Sequence, residues 1–325
     1  MRLQEPLLKL PIRFDADALA QEVRTLSPTA WDPHPTGFAG NEAVRLVSPN
    51  GQPTDALRGA MAPTEHLLRS PYMMQVMREL GGVWGRSRLM ALAAGAQVPP
   101  HVDCHYYWRT HLRIHVPVVT NPGVLFTCGP ETVHMQAGEC WVFDSFQRHE
   151  VHNNGTERRI HLVLDTCGGE RLWDLIEAAH QVPRPEPTNV PVAGGAEAPL
   201  LFERFNAPKV MSPWEMQGHL SFLVEQLKSP ALAQPVLRQM DRFIYVWGAA
   251  WARYESADEG LPIYREMIAD IRRELSRTDG SGIELRNNVK LQFAIEQLIL
   301  LNAIERPPAA KLVAASGQRP GRLAS

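Results

Sequence analysis

Residues 143–165 read Phe-Asp-Ser-Phe-Gln-Arg-His-Glu-Val-His-Asn-Asn-Gly-Thr-Glu-Arg-Arg-Ile-His-Leu-Val-Leu-Asp, and their pattern sets the fold class. An Asn153-Asn154-Gly155 reversal separates a short run ending at His152 from Arg159–Leu164, which is rich in β-formers. The same punctuation extends outward. From about Arg86 to Asp165, short runs at Leu112–Val119, Gly123–Cys128 and Glu139–Phe143 are parted by Pro, Gly and Asn turns. Short strands at such spacing predict a β-sandwich or jelly roll.

The flanks read differently. Glu5–Ile12 is expected as a strand, with Asp15 capping a helix through Leu19, Val23 and Leu26, and Glu170–His180 as another helix. Val182–Pro199 holds five prolines and two glycines and reads as an exposed connector. Beyond it, Ser212-Pro-Trp-Glu215 is a capping box, and Ser281-Gly-Ile-Glu284 repeats that logic before a second long helix. Val236, Met240, Phe243, Trp247, Trp251 and Tyr254 fall at steps of three and four, an apolar stripe expected to pack as core. The expected organisation is a β domain over 1–181, a linker over 182–199, an α-helical domain over 200–306 and a disordered tail over 307–325.

Composition bounds the function. With 44% hydrophobic and 21% charged residues in 325, the chain is an ordinary globular protein rather than a collagen or a disordered tail. A net charge of −2 offers no positive field for nucleic acid or an anionic membrane. Cys104, Cys128, Cys140 and Cys167 form no C-x-x-C pair, and neither a signal segment nor a membrane span is read, so a cytoplasmic protein is expected. Cys104 and Cys140 read as small buried hydrophobes, and Asn154-Gly155-Thr156 as a turn rather than a glycosylation acceptor.

Eight of the twelve histidines lie between His101 and His161, inside the β region. Imidazoles are costly to bury unless paired, so this density points to a polar cavity, most economically a metal or anion site. In Pro99-Pro100-His101-Val102-Asp103, an extended strand would turn His101 and Asp103 to one face. A third imidazole from a distant strand would complete a two-His-one-carboxylate triad, which on Fe(II) leaves positions for a chelating cosubstrate and O2. His-x-Asp alone is weak, since residue frequencies give roughly 0.4 chance occurrences in such a chain. Its support is the histidine near the reversal with Arg159 ten positions past His149, as a metal with a bound dicarboxylate would require.

Five ordered motifs then carry a family resemblance: Pro99-Pro-His-Val-Asp103, Leu112-Arg-Ile-His-Val-Pro117, Gly138-Glu-Cys-Trp-Val-Phe-Asp144, Ser145-Phe-Gln-Arg-His-Glu-Val151 and Arg159-Ile-His-Leu-Val-Leu-Asp165. The stretch Arg86–Asp165 resembles the aspartyl/asparaginyl β-hydroxylases, with the bacterial free-proline hydroxylases as relatives. The resemblance implies a mainly β fold, a double-stranded β-helix (jelly roll, cupin-like) with flanking helices, beside the C-terminal α-helical domain. It implies that His101, Asp103 and His149 hold Fe(II), that Arg159 binds the 2-oxoglutarate C5 carboxylate, that His115 contacts the same cosubstrate, and that Arg113 holds a substrate carboxylate. The animal enzymes of the family have glycine where this chain has Asp103, so the carboxylate triad is nearer to the bacterial amino-acid hydroxylases and to a small substrate. Where those enzymes carry a serine for 2-oxoglutarate, the aligned position here is Met90, with Arg88 or Ser87 as substitutes.

Two rivals stand beside the triad. His105 shares the strand face of His101 if the strand continues, and His152 sits three residues past His149; spacing to Arg159 selects His149. His105, His134 and His161 are expected either to support the metal ligands from behind or to be ordinary polar-face histidines. Tyr106, Tyr107 and Trp108 either wall a substrate pocket or pack as β-formers. The expected activity is 2-oxoglutarate- and O2-dependent hydroxylation of an unactivated C–H in an amino acid, free or peptidyl, with succinate and CO2 as coproducts; a carboxylate at 103 argues against halogenation. The alternatives are a cupin-like metalloenzyme that does not use 2-oxoglutarate, and an inactive binding or assembly protein. The helical domain is open between homodimer interface, substrate lid and peptide clamp.

Overall fold

The computed structural model describes residues 3, 5–193, 199–280 and 282–305. Among the described residues, fourteen strands run in chain order: β1 Leu7–Phe14, β2 Asp32–Pro33, β3 Asn41–Pro49, β4 Met61–Pro63, β5 Val83–Leu92, β6 Gln97–His101, β7 Leu112–Val119, β8 Val124–Cys128, β9 Glu131–Val133, β10 Glu139–Phe143, β11 His149–Asn153, β12 Arg159–Thr166, β13 Thr188–Val190 and β14 Leu201–Phe202. The helices are α1 Ala16–Thr25, α2 Glu65–Leu68, α3 Pro71–Leu80, α4 Tyr106–Thr110, α5 Glu170–Ala179, α6 Pro213–Glu225, α7 Pro230–Tyr254, α8 Leu261–Arg277 and α9 Leu291–Ile295.

Ten strands form one sheet, with β1, β10, β7, β12, β5 and β3 side by side, and β6, β11, β8 and β9 form a second. From β5 onward the chain alternates between the two: β5, β7, β10 and β12 belong to the large sheet, and β6, β8 and β11 to the small one. That alternation winds a double-stranded β-helix, the jelly-roll topology expected from the strand spacing. The β11–β12 reversal is accordingly a corner between sheets and not a hairpin. Buried Asn153 makes the corner: its Nδ2 donates to the carbonyls of Leu92 (3.1 Å), Ala93 (3.0 Å) and Glu157 (2.8 Å), and its Oδ1 accepts from the Gly155 N–H at 3.2 Å.

Period-two alternation sorts the large sheet's side chains. On β7, Leu112, Ile114 and Val116 enter a core beneath α1, α3 and α5, as do Ile160, Leu162 and Leu164 on β12. The intervening Arg113 and His115 on β7, and Arg159 and Val163 on β12, face the cavity between the sheets. A buried apolar layer on one side of the sheet therefore forces polar residues into the barrel mouth.

The N-terminal expectations hold to within two residues: β1 begins at Leu7, and Asp15 caps α1 by accepting from the Ala18 N–H. The connector needs correction. Thr188–Val190 pairs in parallel with Ile12–Phe14, and Leu201–Phe202 pairs with Val83–Trp84, so part of 182–199 is stitched to the large sheet and the sheet's last strand lies beyond it. Extended, proline-rich chain suits sheet edges as well as linkers.

The helices after Ser212 enclose their own core, in which Val236, Met240, Phe243 and Trp247 of the expected stripe are buried while Trp251 and Tyr254 pack at its margin. Ser212 caps α6 by accepting from the Glu215 N–H. The second expected box fails. Ser281 lies outside the described residues, and the next helix starts only at Leu291, because Glu284 pairs with Lys228 (2.8 Å) and Lys290 (2.7 Å) rather than closing a cap. The expected tail over 307–325 also lies outside the described residues. No helix among the described residues is long and apolar enough to cross a membrane.

Candidate metal centre

His101 ends β6 and His149 begins β11, and the two are antiparallel partners in the small sheet, so pairing alone sets their rings side by side, with centroids 4.2 Å apart. Each ring is held by its own backbone: Nδ1 of His101 lies 2.9 Å from the Pro99 carbonyl, and Nδ1 of His149 2.9 Å from the Gln147 carbonyl. A carbonyl only accepts, so Nδ1 carries the proton in both and Nε2 is left with its lone pair free, as metal ligation needs. Burial lowers the His149 pKa from 6.5 to about 4, which keeps the ring neutral.

Asp103 joins them by a route the strand argument did not foresee. β6 stops at His101, and two residues later the Asp103 N–H donates to the Ser145 carbonyl at 3.0 Å. Its Oδ2 accepts from Arg113 Nη1 at 2.8 Å, while Arg113 Nε donates to Asp165 Oδ1 at 2.9 Å. Arg113 and Asp165 are direct cross-strand partners of β7 and β12, so sheet register fixes this relay. Burial opposes the Asp103 charge, but Arg113, followed by His149 and His101, holds its carboxyl below the ordinary value. Donor atoms of His101, Asp103 and His149 all lie within 4.8 Å of one another, a spacing that one ion can bridge.

The cavity around them measures about 340 Å³. Arg159, the first residue of β12, lines it with its Nε buried and without a protein partner, and burial pulls its pKa down to about 9. His115 lines it too, its Nδ1 also unpartnered, with the His161 ring edge-on 5.5 Å away. A buried guanidinium without a carboxylate is costly unless an anion arrives. Met90 and Arg88 of β5 line the wall, whereas Ser87 turns away and donates to the Gly85 carbonyl.

Of the rival ligands, neither meets the cluster. His105 caps α4 instead of continuing the strand, and His152 pairs with Glu150 at 3.1 Å. His134 lies 3.0 Å from the Val124 carbonyl. The aromatic run splits: Tyr106 and Tyr107 are buried, and Trp108 lines the cavity with the Arg113 guanidinium 4.0 Å above its ring. These residues form α4, not a strand, because Asp103 has already broken the extended run and His105 offers a cap. Cys104 and Cys140 are buried, and burial raises both thiol pKa values.

Sequence reading missed what the N-terminal segment adds. His34, Asp55 and Arg86 also line the cavity, with Arg88 Nη1 3.0 Å from His34 Nε2 and 3.6 Å from Asp55. Burial first, then Arg88 and Arg86, lowers the His34 pKa from 6.5 to about 3. No motif marked these residues; the period-two pattern of Arg86, Arg88 and Met90 was the available signal.

The fold and the side chains thus define a double-stranded β-helix with a two-His-one-carboxylate cluster at its mouth. Residues 43–167 match the family model described as Aspartyl/Asparaginyl beta-hydroxylase, which bears out the resemblance read from the five motifs. The L-proline cis-4-hydroxylase of Rhizobium meliloti (strain 1021) is 26% identical over 163 residues, covering 47% of this chain. The chain spans 58% of that relative's length. Among solved structures, an oxidoreductase of the 2OG-Fe(II) oxygenase family from Burkholderia pseudomallei aligns with a TM-score of 0.37 at 13% identity, over 48% of this chain and 80% of that one. A Pseudomonas putida prolyl-4-hydroxylase aligns at 0.35 and 16%, over 51% and 95%. The fold assignment rests on the strand alternation rather than on these two likenesses.

Proposed function

We propose that the chain is an Fe(II)/2-oxoglutarate-dependent hydroxylase of a small amino acid. The observation that carries this reading is the convergence of His101, Asp103 and His149 in one cavity with a buried, unpaired Arg159 guanidinium. The donor set fits the group: two imidazoles and one carboxylate suit Fe(II) and leave positions open. The orphaned Nε of Arg159 and Nδ1 of His115 suit the remote carboxylate of 2-oxoglutarate. Bound iron with 2-oxoglutarate and O2 supplies the oxidising power for hydroxylating an unactivated C–H, with succinate and CO2 as coproducts.

The chain's own part is binding and exclusion. His101, Asp103 and His149 hold the metal, and Arg113 clamps Asp103 between the centre and Asp165 so that the carboxylate presents one fixed oxygen. Arg159 and His115 orient the cosubstrate. Arg86, Arg88, Arg113 and Arg159 outnumber the cavity-lining carboxylates Asp55 and Asp103, so the cavity favours anions. The family likeness gives a substrate carboxylate to Arg113, whose contacts in this structure go to Asp103 and Asp165. Cavity volume and the proline-hydroxylating relative favour a free, proline-like amino acid over a peptidyl residue. We also propose a reducing, cytoplasmic setting, in keeping with four free cysteines, and a division between the oxygenase unit, which keeps the sheet strand β14, and the helices that begin with α6.

A screen of free amino acids and proline-containing peptides, reading succinate release with product mass, tests the proposal. Succinate matched by a product 16 mass units heavier (about one oxygen) is expected with a free amino acid. Turnover that survives Arg159→Ala without succinate would place the chain among 2-oxoglutarate-independent metalloenzymes, and a fully inert chain would make it a binding module.

A further inference from the structure

A second cluster lies outside the cavity. His111 Nε2 stands 3.0 Å from Glu203 Oε1 and 3.5 Å from Cys167 Sγ, and Sγ is 3.1 Å from the same Oε1. The His111 and Glu203 side chains are 0% and 5% exposed, whereas Cys167 is the one exposed cysteine. Nothing in the proposed hydroxylation uses this trio.

The spacing is that of a metal's coordination face. Bonds of about 2.0–2.3 Å at tetrahedral angles separate nitrogen, oxygen and sulfur ligands by about 3.3–3.5 Å. The observed edges fall within a few tenths of an ångström of that. The outer atoms are already oriented: His111 Nδ1 donates to the Tyr107 carbonyl at 2.7 Å, leaving Nε2 as the ring nitrogen that faces the other two, with one proton in its 3.0 Å contact with Glu203 Oε1. Glu203 Oε2 accepts from Asn206 Nδ2 at 3.2 Å, leaving Oε1 inward.

We propose that His111, Cys167 and Glu203 form a second metal site, taking a thiophilic divalent cation of the zinc type, with solvent at a fourth position on the exposed Cys167 side. Imidazole with thiolate selects such an ion over magnesium or calcium. Binding would displace two protons to solvent, the Cys167 thiol proton and the one between His111 Nε2 and Glu203 Oε1, leaving the sulfur as a metal-bound thiolate. The three ligands come from the end of α4, the end of β12 and the residue after β14. An ion there ties the chain entering the helical unit to the barrel wall.

The site is separable from the His101 centre because only this one contains sulfur. Titration of the full-length wild-type protein with cobalt(II) is expected to give a thiolate-to-cobalt absorption that disappears in Cys167→Ser. Independently of any variant, zinc is expected to slow alkylation of Cys167, followed by peptide mass, by about tenfold or more, with chelator restoring the rate. Absence of the absorption, its persistence in Cys167→Ser, or a Cys167 alkylation rate indifferent to zinc would each overturn the proposal. None of these outcomes bears on whether succinate is produced at the other centre.

Discussion

At the scale of single residues, Arg113 is the hydrogen-bonded cation that two carboxylates share, with Arg86 Nε standing off at 3.9 Å from Asp165. Arg113→Leu removes the cation from Asp103 and Asp165 at once. Unpairing a buried ion pair costs about 3–5 kcal/mol, and a loss of that size is expected in urea denaturation, together with weaker iron binding. A variant as stable as wild type, with unchanged iron affinity, would show the relay to be dispensable. Arg159→Ala should raise the KM for 2-oxoglutarate at least about tenfold while leaving iron binding intact, since a lost charge-assisted hydrogen bond costs about 1.5–3 kcal/mol. Protonation adds a third expectation. His149 and His34, lowered from 6.5 to about 4 and about 3, refuse protons that the unfolded chain accepts near pH 6.5. Stability of the metal-free protein should therefore fall as pH drops from about 6.5 towards 4. Asp103, whose carboxyl is held below 3.8, adds its loss only in more acid solution. Urea midpoints that stay flat over the upper window would contradict the buried-imidazole description.

At the scale of elements, the corner between β11 and β12 decides whether His149 and Arg159 can serve one cavity. Asn153→Ala removes three carbonyl partners in that corner, and a cost of about 2–3 kcal/mol is expected from unsatisfied buried acceptors. Retention of full stability would mean that the strands alone fix the turn. This level also shows what sequence can reveal. The reversal at Asn153–Gly155, the β runs around it and the Asp15 cap were legible because turn chemistry and alternation are local. Likewise, His101, Asp103 and His149 were legible as motif positions. What brings Asp103 to the histidines was not: its Ser145 and Arg113 contacts depend on sheet register across 42 and 10 positions, which no local pattern encodes. At the expected box over 281–284, whose Ser281 lies outside the described residues, Glu284 pairs with Lys228, 56 positions back, and with Lys290, six positions on.

At the scale of the whole molecule, the barrel and the helices meet through a shared apolar cluster and specific hydrogen bonds. Tyr106 donates to Glu215 at 2.6 Å, Asn287 Nδ2 donates to the Phe146 carbonyl at 2.7 Å, and the Phe146 ring packs on Phe222. Asp103 and Ser145 thus sit beside residues that pack against the helical core, Val102, Cys104 and Phe146. Trp247→Ala, in the middle of α7, should cost about 3–5 kcal/mol, read by chemical denaturation. A negligible loss would separate the stripe from the core. The central claim is that three side chains from β6, the segment after it and β11 share one ferrous ion, with Arg159 set to receive its cosubstrate. Anaerobic titration of the wild-type protein with Fe(II) and 2-oxoglutarate tests this most directly. A visible charge-transfer absorption that needs both components, vanishes in Asp103→Ala and requires far more 2-oxoglutarate in Arg159→Ala is expected; a protein that binds no Fe(II), or shows no such absorption with both present, would contradict it.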